Sequence, residues 1–300
     1  VKTDDAKAKG LVTENGVVKL VASTGTVEAK DIKIDAGSKG SSEISGKLNS
    51  NSNTSNGGTI EVTAKDIDVN AATISADGKT GGGKVLIGGD WQGSGDLLQA
   101  TYLNIDDATK ISADALISGS GGTIVAWSNI KDKNSLTKVS GALSAKGIDG
   151  DGGKIETSGA TVNTNNIKVN AGSENGKGGL WLVDPYDYTI GAREASSISS
   201  TLNSGTSVTI LTSAQNLSYG AGLTSQANGD ITVNSSITTK SKSDVTLTLT
   251  AARDLTIGNT ESTTKITDTG AGKLNLALNS PRDMTIHSSI DVAGSVKLTT

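Results

Sequence analysis

The chain has 300 residues and a formal net charge of −4, with lysine scattered among the acids, so it offers neither a basic stripe for nucleic acid nor a charged tail. It contains no Cys and no Phe. That excludes disulfide staples and thiolate metal sites, and leaves a core of Val, Ile, Leu and Ala that stacks in layers rather than around large rings. No apolar run approaches the roughly 18 residues of a membrane span, and the strict alternation of β-branched residues and Leu argues against disorder.

The chain starts at Val1 in mid-pattern and reads as a piece of something longer. Short alternating runs follow at 17–21, 32–34, 60–62, 67–69, 73–76 and 84–87, each bounded by Gly, Asn, Asp or Ser. The Asn-Gly and Asp-Gly pairs that antiparallel hairpins favour are mostly missing from the corners between them. Short strands that each pair one coil away make a right-handed parallel β-helix. The Ser/Asn/Lys-rich segments 38–57 and 128–137 are predicted to stand out from the coil. At about 22–30 residues per coil and about 4.8 Å per coil, the rod is expected to be roughly 50–65 Å long.

The middle of the chain differs from both flanks. Asp184-Pro185-Tyr186-Asp187-Tyr188 is a dense aromatic, proline-bearing knot in a sequence with 2% aromatics and two prolines. Ala195, Ile198 and Leu202 follow helical spacing, and Gly205 is a plausible stop, which predicts a short lateral helix near 194–203 on the side of the solenoid. The chain therefore divides into Gly-rich coils over 1–183, a joint over 184–205, and regular Thr/Leu coils over 206–300.

In the last part, Val245-Thr-Leu247-Thr-Leu249 and Leu274-Asn-Leu276-Ala-Leu278 are offset by 29 residues, as are Arg253-Asp254-Leu255-Thr-Ile257 and Arg282-Asp283-Met284-Thr-Ile286. Stacking at that offset points Val245, Leu247, Leu249, Leu255, Ile257, Leu274, Leu276, Leu278, Met284 and Ile286 inward, and makes the Arg-Asp pairs a stacked ion-pair corner. Val296-Lys-Leu298, 22 residues after Leu274, starts a further coil.

Chemistry-bearing motifs are sparse. His287 is the one histidine and has no acidic or nucleophilic partner motif, and no G-x-S-x-G, H-E-x-x-H or phosphate-loop pattern occurs. Polysaccharide-cleaving β-helix enzymes need carboxylates clustered with Arg, Lys or His, whereas the arginines here are Arg193, Arg253 and Arg282. No catalytic or cofactor-binding residue is named and no cofactor is expected. Asp149 and Asp151 in Gly147-Ile-Asp-Gly-Asp-Gly-Gly153 lack the other ligands of a calcium loop and suit a tight corner. No metal ligand is therefore assigned. Trp91, Trp127 and Trp181 each follow a Gly-Gly strand start and read as packing of a loop or the helix on the solenoid wall. Asn53, Asn216 and Asn234 lie in N-x-[ST] sequons.

The wording of the middle region carries a resemblance. GKGGLWLVDPYDYTI (176–190), followed by ASSISSTLNSGTSVTILTSA (195–214), is similar to the large exoproteins of bacterial two-partner secretion, the filamentous-haemagglutinin and high-molecular-weight adhesin kind. GGKVLIGGDWQGSG (82–95), GSGGTIVAWSN (119–129) and GDGGKIETSG (150–159) belong to the same idiom. The resemblance implies a secreted or cell-surface adhesin of the Gram-negative outer membrane, here a stalk or passenger segment exported through an outer-membrane pore partner. Its expected ligand is a host-cell protein, matrix or glycan, with no nucleic acid and no membrane insertion. It also makes modification of the three sequons relevant. Two alternatives stand beside it: a haem- or haemopexin-capturing exoprotein of the same secretion system, and a polysaccharide-cleaving β-helix enzyme.

Overall fold

The computed structural model describes residues 7–8, 11–14, 17–20, 25–213, 229–261 and 263–300, with side chains from residue 25 onward. Its strands are short because the apolar runs are short, and successive runs turn a corner instead of reversing. Each strand finds its partner in the next coil, in parallel. The result is an all-β parallel β-helix with three walls.

The first wall is one sheet of ten strands, from Asp31–Asp35 through Thr59–Thr63, Lys84–Ile87, Thr123–Trp127, Lys154–Ser158, Leu180–Asp184, Ser207–Leu211, Val245–Thr250 and Leu274–Asn279 to Val296–Thr299. It runs without a break. Inward positions stack like on like, as in Val85–Ile124–Ile155–Trp181–Val208. Nine steps of about 4.8 Å give roughly 43 Å, shorter than the length expected from sequence. The reason is that some coils are long: Lys84 pairs with Thr123 and Val208 with Leu247, each 39 residues on. Those insertions leave the wall itself unchanged.

The Gly-Gly strand starts have a steric cause. Gly58, Gly83, Gly122, Gly153 and Gly179 stack in one column, and a Cβ on Gly83, Gly122 or Gly153 would stand 2.1 Å from the carbonyl oxygen of the glycine below. No side chain fits where backbones approach so closely.

The other two walls are interrupted. The second runs from Leu11–Glu14 and Val17–Leu20 to Thr161–Asn163, and resumes at Tyr188–Ile190. The third runs from Lys7–Ala8 to Lys168–Asn170 and resumes at Ile237–Thr239. Between Lys168–Asn170 and Ile237–Thr239 lies the helix α1, Ala192–Asn203, packed against both strands. The expected helix is present, but it is not an addition to the side of finished coils. It fills the place of a missing wall strand, and its Ala195, Ile198 and Leu202 belong to the same buried core as the strands.

Because a helix has no free ladder to offer, its side chains substitute. Ser199 Oγ accepts from the backbone N–H of Thr238, and Asn203 Oδ1 accepts from that of Lys240. At its start, the Glu194 carboxylate accepts from Gly191 N–H at 3.0 Å, half of a capping box since glycine has no side chain to reciprocate. At its end, Gly205 takes φ +81°, the left-handed stop that glycine supplies.

Several expectations need correction. Residues 38–57 are not all loop: Ser41–Ile44 and Lys47–Asn49 are wall strands, with Ile44 and Leu48 fully buried. Their outward and corner residues are polar, so one or two apolar residues per strand carried the whole signal. Residues 11–20 are not parallel coil either. Leu11–Glu14 and Val17–Leu20 pair antiparallel, and the Asn15-Gly16 between them is the pair such hairpins favour. Met284 and Ile286 are only partly buried, because the last coil is covered on one side. Finally, Val296 stacks on Leu276 rather than Leu274, an offset of 20 residues instead of 22.

The remaining inward assignments hold. Val245, Leu247, Leu249, Leu255, Ile257, Leu274, Leu276 and Leu278 are all buried. The Arg-Asp corner forms as well, with Arg253 and Arg282 each reaching back to an Asp of the preceding coil.

Candidate functional site

The first wall has an outer face as well as an inner one, and over three coils that outer face is buried. On Lys154–Ser158 the outward residues include Glu156 and Ser158, and Asp184 of the next strand pairs with Ser158. Glu156 is 0% exposed and Asp184 6%. Alternation alone would place both in water.

The cover comes from three segments. A strap over 88–100 closes on itself through Ala100 N–H to Gly88 O at 2.9 Å and carries a short 3-10 turn, Trp91–Gly93. It lies over Leu86, Val125 and Trp127, which form a small apolar cluster separate from the main core. Gly93 is packed so tightly on the Trp127 ring that a Cβ would meet Cζ2 at 2.5 Å. Gln99 fastens the strap at two points, accepting from Trp127 Nε1 at 3.1 Å and donating to Gly93 O at 3.1 Å. Lys154 stands over the Trp91 ring, 4.8 Å from its centroid.

The pentad 184–188 supplies the second part of the cover. Tyr186 donates its hydroxyl to Ile130 O, and its N–H bonds Ala160 O at 3.1 Å. Asp187 Oδ1 accepts from the N–H groups of Gly229 and Asp230. The Tyr188 hydroxyl, fully buried, bonds Thr164 Oγ1, and burial raises its pKa above the usual tyrosine range. Thus every polar member of the knot has a structural duty at the place where two walls restart. Ser213 supplies the third part, bonding both the Asp184 side chain and Pro185 O.

Burial dominates the electrostatics. It pushes the Glu156 carboxyl up to about 7, against the hydrogen bonds from Gln92 N–H (2.8 Å) and Ser158 Oγ (2.9 Å), with the charges of Asp184 and Asp90 adding to the rise. Burial likewise pushes Asp184 up to about 6, opposed by Ser213. Ser213 Oγ donates to Asp184 Oδ2 at 3.0 Å, while Oδ1 is buried with no partner. Such a pair holds protons near neutrality, but no dissolved substrate reaches Glu156 under the strap.

The residues singled out from sequence do not converge. Asn53 and Asn234 are both exposed, one in the 50–57 loop and one just after Ile231–Val233. Asn216 lies outside the described residues. His287 is exposed. Asp149 Oδ1 accepts from Asn175 Nδ2 and Asp151 Oδ1 from Lys177 N–H, so both serve the corner ladder. Among the described residues no group of three or more His, Cys, Asp or Glu is placed to hold a metal.

The three tryptophans are not equivalent, contrary to the shared placement expected. Trp127 packs outward under the strap, whereas Trp181 points into the solenoid and donates Nε1–H to Thr157 Oγ1 at 3.1 Å. Sequence reasoning did not find Glu156. Its one signal was a carboxylate inside an otherwise apolar and hydroxyl-bearing strand, Lys154-Ile-Glu-Thr-Ser158.

A separate concavity of about 210 Å³ opens at the corner loops, lined in part by Lys146, Ile148, Asn170, Ser173 and Glu174. Nearby Leu116 and Ile117 are 49% and 64% exposed. No protein-family model matches the chain, and no curated protein matches it.

Proposed function

We propose that these residues form a rigid, non-enzymatic segment of a secreted or surface-displayed bacterial adhesin, the stalk or passenger of a two-partner secretion exoprotein. On this reading the chain leaves the cell through an outer-membrane pore partner and makes contact with host cells, matrix or glycans. The observation that carries it is the unbroken ten-strand wall, which keeps its register while coil lengths vary by insertion at corners. A scaffold that tolerates insertion at its corners is suited to presenting binding loops along a rod. The family wording of 82–95 and 176–214 supports the same reading. The buried position of Glu156 and Asp184 supports binding without turnover, since catalytic carboxylates must touch their substrate.

The test is binding of the purified chain to host cells, matrix proteins and a glycan panel, with pectin, alginate and glycosaminoglycan assayed for cleavage. Saturable binding that is weakened by replacing Leu116 and Ile117 with Ser is the expected result. Cleavage of any polymer, or selective binding to haem or haemopexin alone, overturns the proposal.

A further inference from the structure

We propose that the chain cleaves itself at the Asp184–Pro185 bond, with the Asp184 side chain attacking its own backbone carbonyl carbon. This inference is independent of what the rod adheres to.

Four observations converge on that bond. First, Asp184 Oδ1 is buried and unpartnered while Oδ2 is held by Ser213 Oγ at 3.0 Å. A buried polar atom left free in this way needs an explanation, and a nucleophile is one. Second, attack by Oδ1 on the carbonyl carbon of the same residue closes a five-membered ring, so nucleophile and electrophile never have to find each other. Third, the carbonyl oxygen of Asp184 accepts an N–H from Gly159 at 3.1 Å, a donor already in place where negative charge develops. Fourth, the leaving group is a proline nitrogen, which carries no N–H. Its residue is pinned by Ser213 N–H on Pro185 O at 3.0 Å, so Ser213 grips both sides of the bond.

Protonation suits the step. Burial lifts the Asp184 carboxyl into the mildly acidic range, and Glu156 on the neighbouring strand is the titratable group that faces it, itself flanked by Asp90 from the strap. As the Oδ1–C bond forms, the C–N bond to Pro185 breaks, and the carboxyl proton of Asp184 passes to the proline nitrogen. The products are a secondary amine at Pro185 and a cyclic anhydride on residue 184. Water then opens the anhydride and leaves Asp184 as a new C terminus. No oxidation or reduction occurs. The nick falls where two walls are interrupted, while the hydrogen bonds of the continuous wall tie Leu180–Asp184 to its neighbours.

The experiment incubates the whole purified chain at about pH 5.5 and about pH 8, values either side of the range burial creates. Intact mass and N-terminal sequencing are read over time, with a parallel sample in urea at the same pH. The expected result is a pair of fragments, 1–184 and 185–300, with Pro185 as the new N terminus. They should form roughly tenfold faster in the folded chain than in urea, and faster at the lower pH. Asp184→Asn and Pro185→Ala should each slow the reaction by roughly tenfold or more, with folding checked by far-ultraviolet circular dichroism. Pro185→Ala keeps the carboxylate, so it tests the leaving group even if Asp184→Asn fails to fold. Absence of fragments, equal or faster cleavage in urea, or cleavage that persists in a folded Asp184→Asn chain overturns the proposal.

Discussion

Arg253 holds the carboxylate of Asp230 through both Nε and Nη2, and one coil on Arg282 holds Asp254 with the same two atoms. Each arginine also lies 3.5 Å from the Asp that follows it in sequence. The corner is therefore a staggered ladder in which every guanidinium bridges two rungs. Such paired, planar bonds suit arginine better than lysine.

Replacing Arg253 with Ala should lower stability by about 1–2 kcal/mol, since the pair is only partly buried and solvent screens it. Arg253→Lys should recover less than half of the loss, because a point charge cannot make two parallel bonds. Thermal melts in low and high salt check both. A loss that salt leaves unchanged would mean packing, not charge, holds this corner.

Leu276 is buried between Leu247 and Val296 in the first wall. Leu276→Ala should cost about 2–5 kcal/mol through lost burial and the cavity left behind. Leu276→Asp should cost more, since it buries an unpaired carboxylate between coils. Equal melting temperatures for the parent and the Asp variant would refute the register.

Stability should fall as pH rises. Glu156 and Asp184 have folded-state values lifted to about 7 and about 6, above their unfolded values. For raised groups, the protonated folded form is favoured. Their contribution is fully present below the unfolded carboxyl range and is lost as pH climbs through about 7. The upper bound for Glu156 is about 3 kcal/mol. Glu156→Gln should flatten the dependence between pH 5 and pH 8, and a chemical-denaturation series across that range measures it.

Asn203→Ala should destabilise the restart of the third wall by about 1–3 kcal/mol. It removes the acceptor for Lys240 N–H and for Thr239 Oγ1, leaving the first donors of Ile237–Thr239 without their partner. Hydrogen exchange should quicken at Lys240 while Asp66–Val69 stays protected. Unchanged exchange at Lys240 would show that another group takes over the bond.

Gly93→Ala should loosen the strap without unfolding the rod. Gly93 takes φ +62°, and its added Cβ would press into Trp127. A cost of about 1–3 kcal/mol is expected, seen as a red shift in tryptophan emission and faster proteolysis within 88–100. A global drop in melting temperature without local exposure would contradict this.

The solenoid was legible in the sequence because a β-helix repeats one local rule. Val245 to Leu249 and Leu274 to Leu278 show period-two alternation and a 29-residue offset, and these define both which side chains go inward and which strands pair. The Arg-Asp corner was legible for the same reason, as was the stripe Ala195, Ile198, Leu202. What the period could not show was anything that breaks it. The polar strand Ser41–Ile44 hid its one apolar anchor among residues that also build loops. The antiparallel start, with its single Asn15-Gly16 signal, went against the prevailing pattern.

Composition and spacing by themselves determined the parallel coil, its aliphatic layers and the position of the joint helix, because those follow from interactions between residues at fixed offsets. Only the tertiary structure decided that α1 stands in for a wall strand, that Trp181 points in while Trp127 points out, and that Glu156 and Asp184 are buried on an outward face. Those outcomes depend on which distant segment covers a surface. The strap over 88–100 reaches Glu156 across 64 residues of sequence through one backbone N–H, and a backbone donor leaves no mark in the amino-acid code.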